Sequence, residues 1–197
     1  MIRAVAFLHK LKIASSDAFL FRHAIRHFRP STQKCPACGA AGGHRKIAYY
    51  PRWMITVQEG KRCELELSVP IYRCASCGHT HAILPDVLIP FSSYSLRFIL
   101  TVLQDYLDRK KSVRDLCSGW GIAVSTLYTW IHQFASQFSL WKGILHRIDW
   151  VRREALSSLQ DAPAFPSCFF SRFGFSFLQC RAASPSVPVA PDTGGPC

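Results

Sequence analysis

Cys35-Pro36-Ala37-Cys38-Gly39 and Cys74-Ala75-Ser76-Cys77-Gly78 are one five-residue form, CxxCG, written twice. Two residues between cysteines let both sulfurs of a tight turn point at one ion. The glycine that follows permits the positive φ that frees backbone N–H groups to donate to the thiolates. Two such knuckles complete a tetrahedron, so Cys35, Cys38, Cys74 and Cys77 are expected to hold one structural Zn2+ in a zinc ribbon. Four thiolates leave no open position for water, which argues against hydrolytic zinc chemistry. The same donors would accept iron or an iron–sulfur cluster, but the ribbon-like spacing and β-rich insert favour zinc. A thioredoxin-type redox pair needs a single CxxC at a helix start, whereas two pairs stand here in a β context. His79 and His81, just past the second knuckle, read as polar strand residues near the surface rather than as ligands. Cys63, Cys168, Cys180 and Cys197 lack a CxxC partner and read as buried or free thiols.

Working outward, the segment from Cys35 to about Pro90 carries short β-like runs. Leu65, Leu67, Val69 and Ile71 alternate with Glu64, Glu66, Ser68 and Pro70, the period of a half-buried strand, and Pro70 demotes that run to an edge. A β unit of this size has little core of its own, and a metal closing its long loop stabilises it. Residues 1–34 precede it as a basic arm (Arg3, Lys10, Lys12, Arg22, Arg26, Arg29 and Lys34 against Asp17 alone). Phe19, Leu20, Ala24 and Phe28 suggest a short amphipathic helix in that arm, ended by Pro30.

From residue 91 to about 160 the apolar period becomes helical. Leu96, Ile99, Leu100, Leu103 and Leu107 share one face. Ser112 and Asp115 make a capping-box-like start, Cys117 is the small residue where two helices approach, and Gly121 supplies the sharp turn. A second helix then places Leu127, Trp130, Ile131 and Phe134 at i, i+3, i+4 and i+7, leaving Ser125, Thr126, Tyr128 and Thr129 on the opposite side. Trp141, Ile144, Leu145, Ile148 and Val151 continue a stripe that closes the bundle or pairs with a second chain as a homodimer. Residues 161–197 are rich in Pro, Ser, Gly and Phe and read as a disordered, low-complexity tail, its Phe-rich run a degenerate end rather than a docking patch. The fold class expected is therefore α+β: a small zinc-ribbon β module over 35–90, an all-α helix-turn-helix bundle over 91–160, and the tail.

The 197 residues carry 24 Lys and Arg against 12 Asp and Glu, a net charge of +12 that draws the chain toward polyanions, nucleic acid first among them. Nine cysteines, an odd count, argue against a fully paired secreted framework and for a reducing, cytoplasmic compartment. The Arg-rich, acid-poor start is shared with organelle transit peptides, but Ala4 to Leu8 is too short for a secretory apolar region. No apolar run reaches membrane-spanning length, so no membrane partner is expected.

The segment 112–134 resembles the helix-turn-helix of bacterial transposases and related regulators: a small residue, Gly four positions later, an apolar-Ser step, then Ser-Thr-aliphatic-Tyr-x-Trp. Ala123 stands where such motifs have an N-capping Ser, and Thr129 where Arg is common. The resemblance implies that Ala123, Val124, Ser125, Thr126, Tyr128 and Thr129 meet the major groove of double-stranded DNA. The basic cluster Arg109, Lys110, Lys111 and Arg114 lies at the start of the first motif helix, where such helices cross the backbone. Taken with the Cys77 to Asp86 linking run, residues 30–140 look like a bacterial family associated with insertion-sequence transposases. That likeness implies recognition of transposon-end DNA, alone or beside a recombinase encoded nearby. The catalytic half of such recombinases needs separated carboxylates on an RNase H-like domain. After the second motif helix only Asp149, Glu154, Asp161 and Asp192 remain, so a non-enzymatic accessory protein or truncated transposase is expected. A stand-alone transcriptional regulator would use the same features, and a ribbon that docks on another protein is the reading from a different class.

Overall fold

The computed structural model describes residues 2–4, 16–85, 88–137, 159 and 165–179. Its frame is a hairpin of two long strands, β2 (His44–Gln58) and β3 (Lys61–Cys74), paired antiparallel along their length. Glu59 and Gly60 turn the hairpin with φ of 51° and 72°, both left-handed, as a two-residue turn matched to strand twist requires. β4 (Thr80–Pro85) adds antiparallel to β3, and β1 (Ile2–Ala4) adds parallel to β4, giving the order β1-β4-β3-β2. The strand containing Pro70 is thus internal, not the edge its proline suggested. β4 pairs only with Ile71, Tyr72 and Arg73, so the ladder stops at the residue that has no N–H to give.

One face of the sheet is covered by α1 (Asp17–His27), capped by Ser16, whose hydroxyl accepts from the Phe19 amide at 3.3 Å. Leu20, Phe21 and Ala24 bury against Met54, Leu67, Val69, Leu84 and Leu88. The described part of the first 34 residues packs on the sheet, α1 roofing it and Ile2 buried against Ile83; residues 5–15 of the expected arm lie outside the described residues. Phe19, placed on the apolar stripe by sequence, is exposed, and Phe21 takes its place. The composition was too basic to suggest burial, yet Arg22 and Arg26 lie on the outer side.

Three helices follow: α2 (Leu96–Asp108), α3 (Val113–Trp120) and α4 (Val124–Ser136). Their core gathers Phe98, Ile99, Val102, Leu103, Leu116, Cys117, Leu127, Trp130 and Phe134. It also takes Phe165, Phe169, Phe175, Phe177 and Leu178, from α5 (Phe165–Phe173) and the turn after it. The disordered tail expected from residue 161 is corrected over 165–179: a run of Phe at these spacings is core material once a helical surface offers it a place. Residues 180–197 and the stripe expected over 141–151 lie outside the described residues.

The helices and the sheet are joined by polar contacts as well as apolar ones. The edge of β2 binds the segment before α2, Ile55 N donating to Ser93 O at 2.7 Å and Ser95 N to Ile55 O at 2.8 Å. Arg52 donates to Ile89 O at 2.8 Å and Ser92 O at 2.7 Å. Ile55 and Val57 pack on the helical core.

Candidate functional site

The two knuckles have the same backbone. Cys35 N donates to Ala40 O and Gly39 N to Cys35 O, both at 2.8 Å. Cys74 N donates to His79 O at 2.9 Å and Gly78 N to Cys74 O at 3.0 Å. Gly39 and Gly78 have φ of 74° and 73°, the left-handed conformation that closes each loop. The Gly is needed for its backbone, since an added Cβ would meet nothing within 4 Å at either position. Ala75 N donates to Gly43 O at 2.9 Å, which stitches the second knuckle to the chain leaving the first. His44 and Cys74 are register partners at the open end of the hairpin.

This scaffold brings the four cysteines together. Their sulfurs lie within 4.8 Å of one another, with Cys35 and Cys77 at 3.7 Å and Cys38 and Cys74 at 3.9 Å, a group that could hold a metal ion. Backbone N–H groups of Cys77, then Ser76, hold the Cys74 thiol down to about 6, against opposing desolvation. Desolvation raises the Cys35 thiol, but the amides of Cys38 and Ala37 outweigh it and leave the thiol below its ordinary value. The His79 amide lowers the Cys77 thiol, yet desolvation and the three neighbouring thiols together push it up to about 12. Amide dipoles thus prepare the first cysteine of each knuckle for ionisation, and the crowding of sulfurs resists ionising all of them without a cation.

His81 differs from its sequence reading. It is buried, with Nε2 3.2 Å from Cys35 Sγ; burial lowers its pKa and keeps the ring neutral. A neutral ring N–H facing a thiolate acts as a donor to it, the outer-shell contact that orients a ligand. His79 is exposed, as expected. His44, which drew no attention in the sequence, is buried with its ring centroid 6.3 Å from that of His81, and neither of its ring nitrogens has a hydrogen-bond partner among the described residues. The available signal was the alternation that puts His81 on the same side of β4 as Ile83, but its strand boundary was not readable without the partner strand.

The helical surface is built around a tight corner. Ser112 caps α3, its hydroxyl accepting from Asp115 N at 3.1 Å and donating to Asp115 Oδ2 at 2.6 Å. Gly121, at φ 62°, ends α3, its N–H reaching Cys117 O and Ser118 O. Leu127, Trp130 and Phe134 are buried and Ile131 packs partly against them, so the expected stripe is present. Ala123, Val124, Ser125, Tyr128 and Thr129 are exposed and Thr126 is half-buried. Ala123 occupies the N-cap position with no side-chain bond, and Thr129 Oγ1 turns back to Ser125 O at 2.9 Å. Arg109, Lys110, Lys111 and Arg114 are exposed around the α2–α3 corner, Lys110 lying 3.5 Å from Asp108. Arg109 itself takes the left-handed cap of α2 with φ 54°. No described helix is long and apolar enough to cross a membrane.

Residues 35–130, from the first cysteine to Trp130 of α4, match one family model. It is described as a domain of unknown function, DUF6431. The match takes in both knuckles, the hairpin and the corner between α3 and α4, so it treats them as one unit. No curated protein and no solved structure matches the chain.

Proposed function

We propose that this chain is a zinc-stabilised, non-enzymatic DNA-binding protein, with α3 and α4 acting as a helix-turn-helix and the hairpin with its knuckles as a zinc ribbon. Four sulfurs around an ion with bonds of about 2.3 Å stand about 3.8 Å apart at the corners of a tetrahedron. The 3.7 and 3.9 Å separations match that cage, and all four sulfurs lie within 4.8 Å of one another. One Zn2+ there is structural, since every coordination position is taken by a thiolate.

The observation that carries the DNA reading is the division of α4. Its apolar stripe is spent on the core, while Val124, Ser125, Tyr128 and Thr129 are exposed, and Arg109, Lys111 and Arg114 are exposed at the α2–α3 corner. Arg109, Lys111 and Arg114 then meet phosphates, and Tyr128 with its neighbours reads base edges. The resemblance of 112–134 to transposase motifs supports transposon-end duplex as the target, with a recombinase encoded nearby supplying catalysis. Footprinting on element-end duplexes tests this: protection of one element end is expected, and equal affinity for all duplexes at about 150 mM salt overturns the specific reading.

A docking role has one observation in its favour: Ile47, Tyr49, Trp53 and Phe91 are exposed large apolar side chains. A partner retained after substitution of Tyr128 and Thr129, with no gel shift by the wild type, would decide for docking.

A further inference from the structure

Charge is segregated along the β2–β3 hairpin. Residues 18–58 and 67–85 contain no Asp or Glu, whereas Glu59, Glu64 and Glu66 all fall in the short stretch between them. In the fold that stretch is the turn end of the hairpin and the start of β3. It lies toward the helices, since a Cβ on Gly121 would stand 3.7 Å from the Arg62 guanidinium. There Arg62 is already taken up by Glu64 at 2.7 Å. The opposite end, at the knuckles, is purely cationic.

At that end Arg45 and Arg73 are direct cross-strand partners, both exposed, and Lys46 is partnered by Tyr72. Like charges directly opposite destabilise a sheet, and no carboxylate among the described residues of either segment relieves this pair. The cysteine cage does not call for them. His44 and Cys74, one residue away on each strand, are buried, while Arg45 and Arg73 are exposed, so by alternation they stand on the other face. Lys46, the next residue, pairs with Tyr72 and stands by the same alternation on the opposite face, where it lies 5.0 Å over the exposed Tyr49 ring and donates to its hydroxyl at 2.9 Å.

We propose that Arg45 and Arg73 form a second DNA contact, a sequence-independent phosphate clamp on the zinc-ribbon end. This rests on the DNA-binding reading of α4 and extends it. The strand from Arg45 to Val57, which packs on the helical core, spans about 40 Å at about 3.3 Å per residue. That is a little more than one turn of duplex. The helical corner reads sequence, and the clamp grips backbone about one turn away.

The test is a salt titration of full-length, zinc-loaded protein against random-sequence duplexes of about 30 base pairs. Arg45→Gln with Arg73→Gln should lower the slope of log K against log salt by about two, one for each phosphate no longer neutralised, without altering the ratio between specific and random duplexes. Zinc content should be unchanged and the melting temperature no lower, because the repelling pair is gone. Arg45→Lys with Arg73→Lys should retain most of the slope, and Arg62→Ala should leave it intact. Should the double Gln variant prove poorly folded, Arg73→Gln alone reads the same effect at about one unit. An unchanged slope in the Gln variants, with Arg114→Ala still reducing it, overturns the clamp and leaves the helical reading standing. A wild type that shifts no duplex overturns both. Loss of binding to phosphatidylserine vesicles, with DNA affinity untouched, assigns the patch to a membrane surface and overturns the clamp.

Discussion

The hydroxyl of Ser95 donates to that of Thr56 at 3.1 Å, joining the N-cap of α2 to the turn end of the hairpin. Thr56 in turn donates to the buried carboxylate of Asp17, which Arg97 approaches at 3.4 Å, while Ser95 accepts from the Phe98 amide at 3.1 Å. One chain of hydrogen bonds thus holds the first turn of α1, strand β2 and the start of α2. It explains how a small sheet and a helical cluster keep a fixed arrangement.

Thr56→Val keeps the shape and removes the donor. A buried carboxylate left short of a hydrogen bond costs about 2–3 kcal/mol, and the melting temperature should fall by about 5–10 °C. Urea unfolding gives the value; a change below about 0.5 kcal/mol would show that water replaces the threonine.

Cys74→Ser should abolish stoichiometric zinc, whereas Cys63→Ser should leave it intact. Cys63 lies across from Thr56 in the strand ladder, far along the hairpin from the knuckles, and its thiol is raised by burial and by Asp17. Metal analysis of the purified variants separates the two, and chelation of the wild type should unfold the knuckles. Equal loss in both variants would place the ion elsewhere.

Metal retention should depend on pH in one direction. The Cys74 thiol is held down to about 6 from its ordinary 9.0, so what its anion contributes is present above the unfolded value and is lost as pH falls through about 6. The Cys77 thiol, at about 12 without a cation, gives up its proton only when the metal enters, so loading at neutral pH releases acid. Because protons must compete with the bound ion, a zinc-sensitive dye should register release below about 6 as pH is lowered. Full retention down to pH about 4 would contradict the assignment.

Ala123→Ser should stabilise the protein. Ala123 has the extended backbone of an N-cap, φ −74° and ψ 148°, but offers the first turn of α4 no acceptor. A serine hydroxyl there should contribute about 0.5–1 kcal/mol, read as a raised melting temperature.

Phe169→Ala tests the role of the Phe-rich segment. Phe169 is fully buried, with Phe165, Phe175 and Phe177 rings within 5.8 Å. The substitution should cost about 3–5 kcal/mol. A variant as stable as wild type would return this stretch to the status of a tail.

The knuckles were legible because their chemistry is local: five residues set the turn, the sulfur directions and the glycine conformation. The face of α4 was legible because a 3.6-residue period needs no knowledge of its partner. Phe169 was misread for the opposite reason. A Phe-rich stretch has the same composition whether it hangs free or docks, and only the helical core it joins distinguishes the two. His81 was misread because burial of a polar ring depends on which sulfur lies opposite.

The amino-acid sequence by itself determined two cysteine pairs, an alternating strand around Leu67 and Val69, and a helix that spends Leu127, Trp130 and Phe134 on a core. Each follows from spacings of a few residues, within which backbone geometry leaves few choices. Tertiary structure alone decided that β3 is internal, that α1 roofs the sheet, that Arg45 faces Arg73 and that Asp17 is satisfied by Thr56. Those contacts join residues far apart in the chain, and their energies depend on distance and burial that only the packed molecule defines.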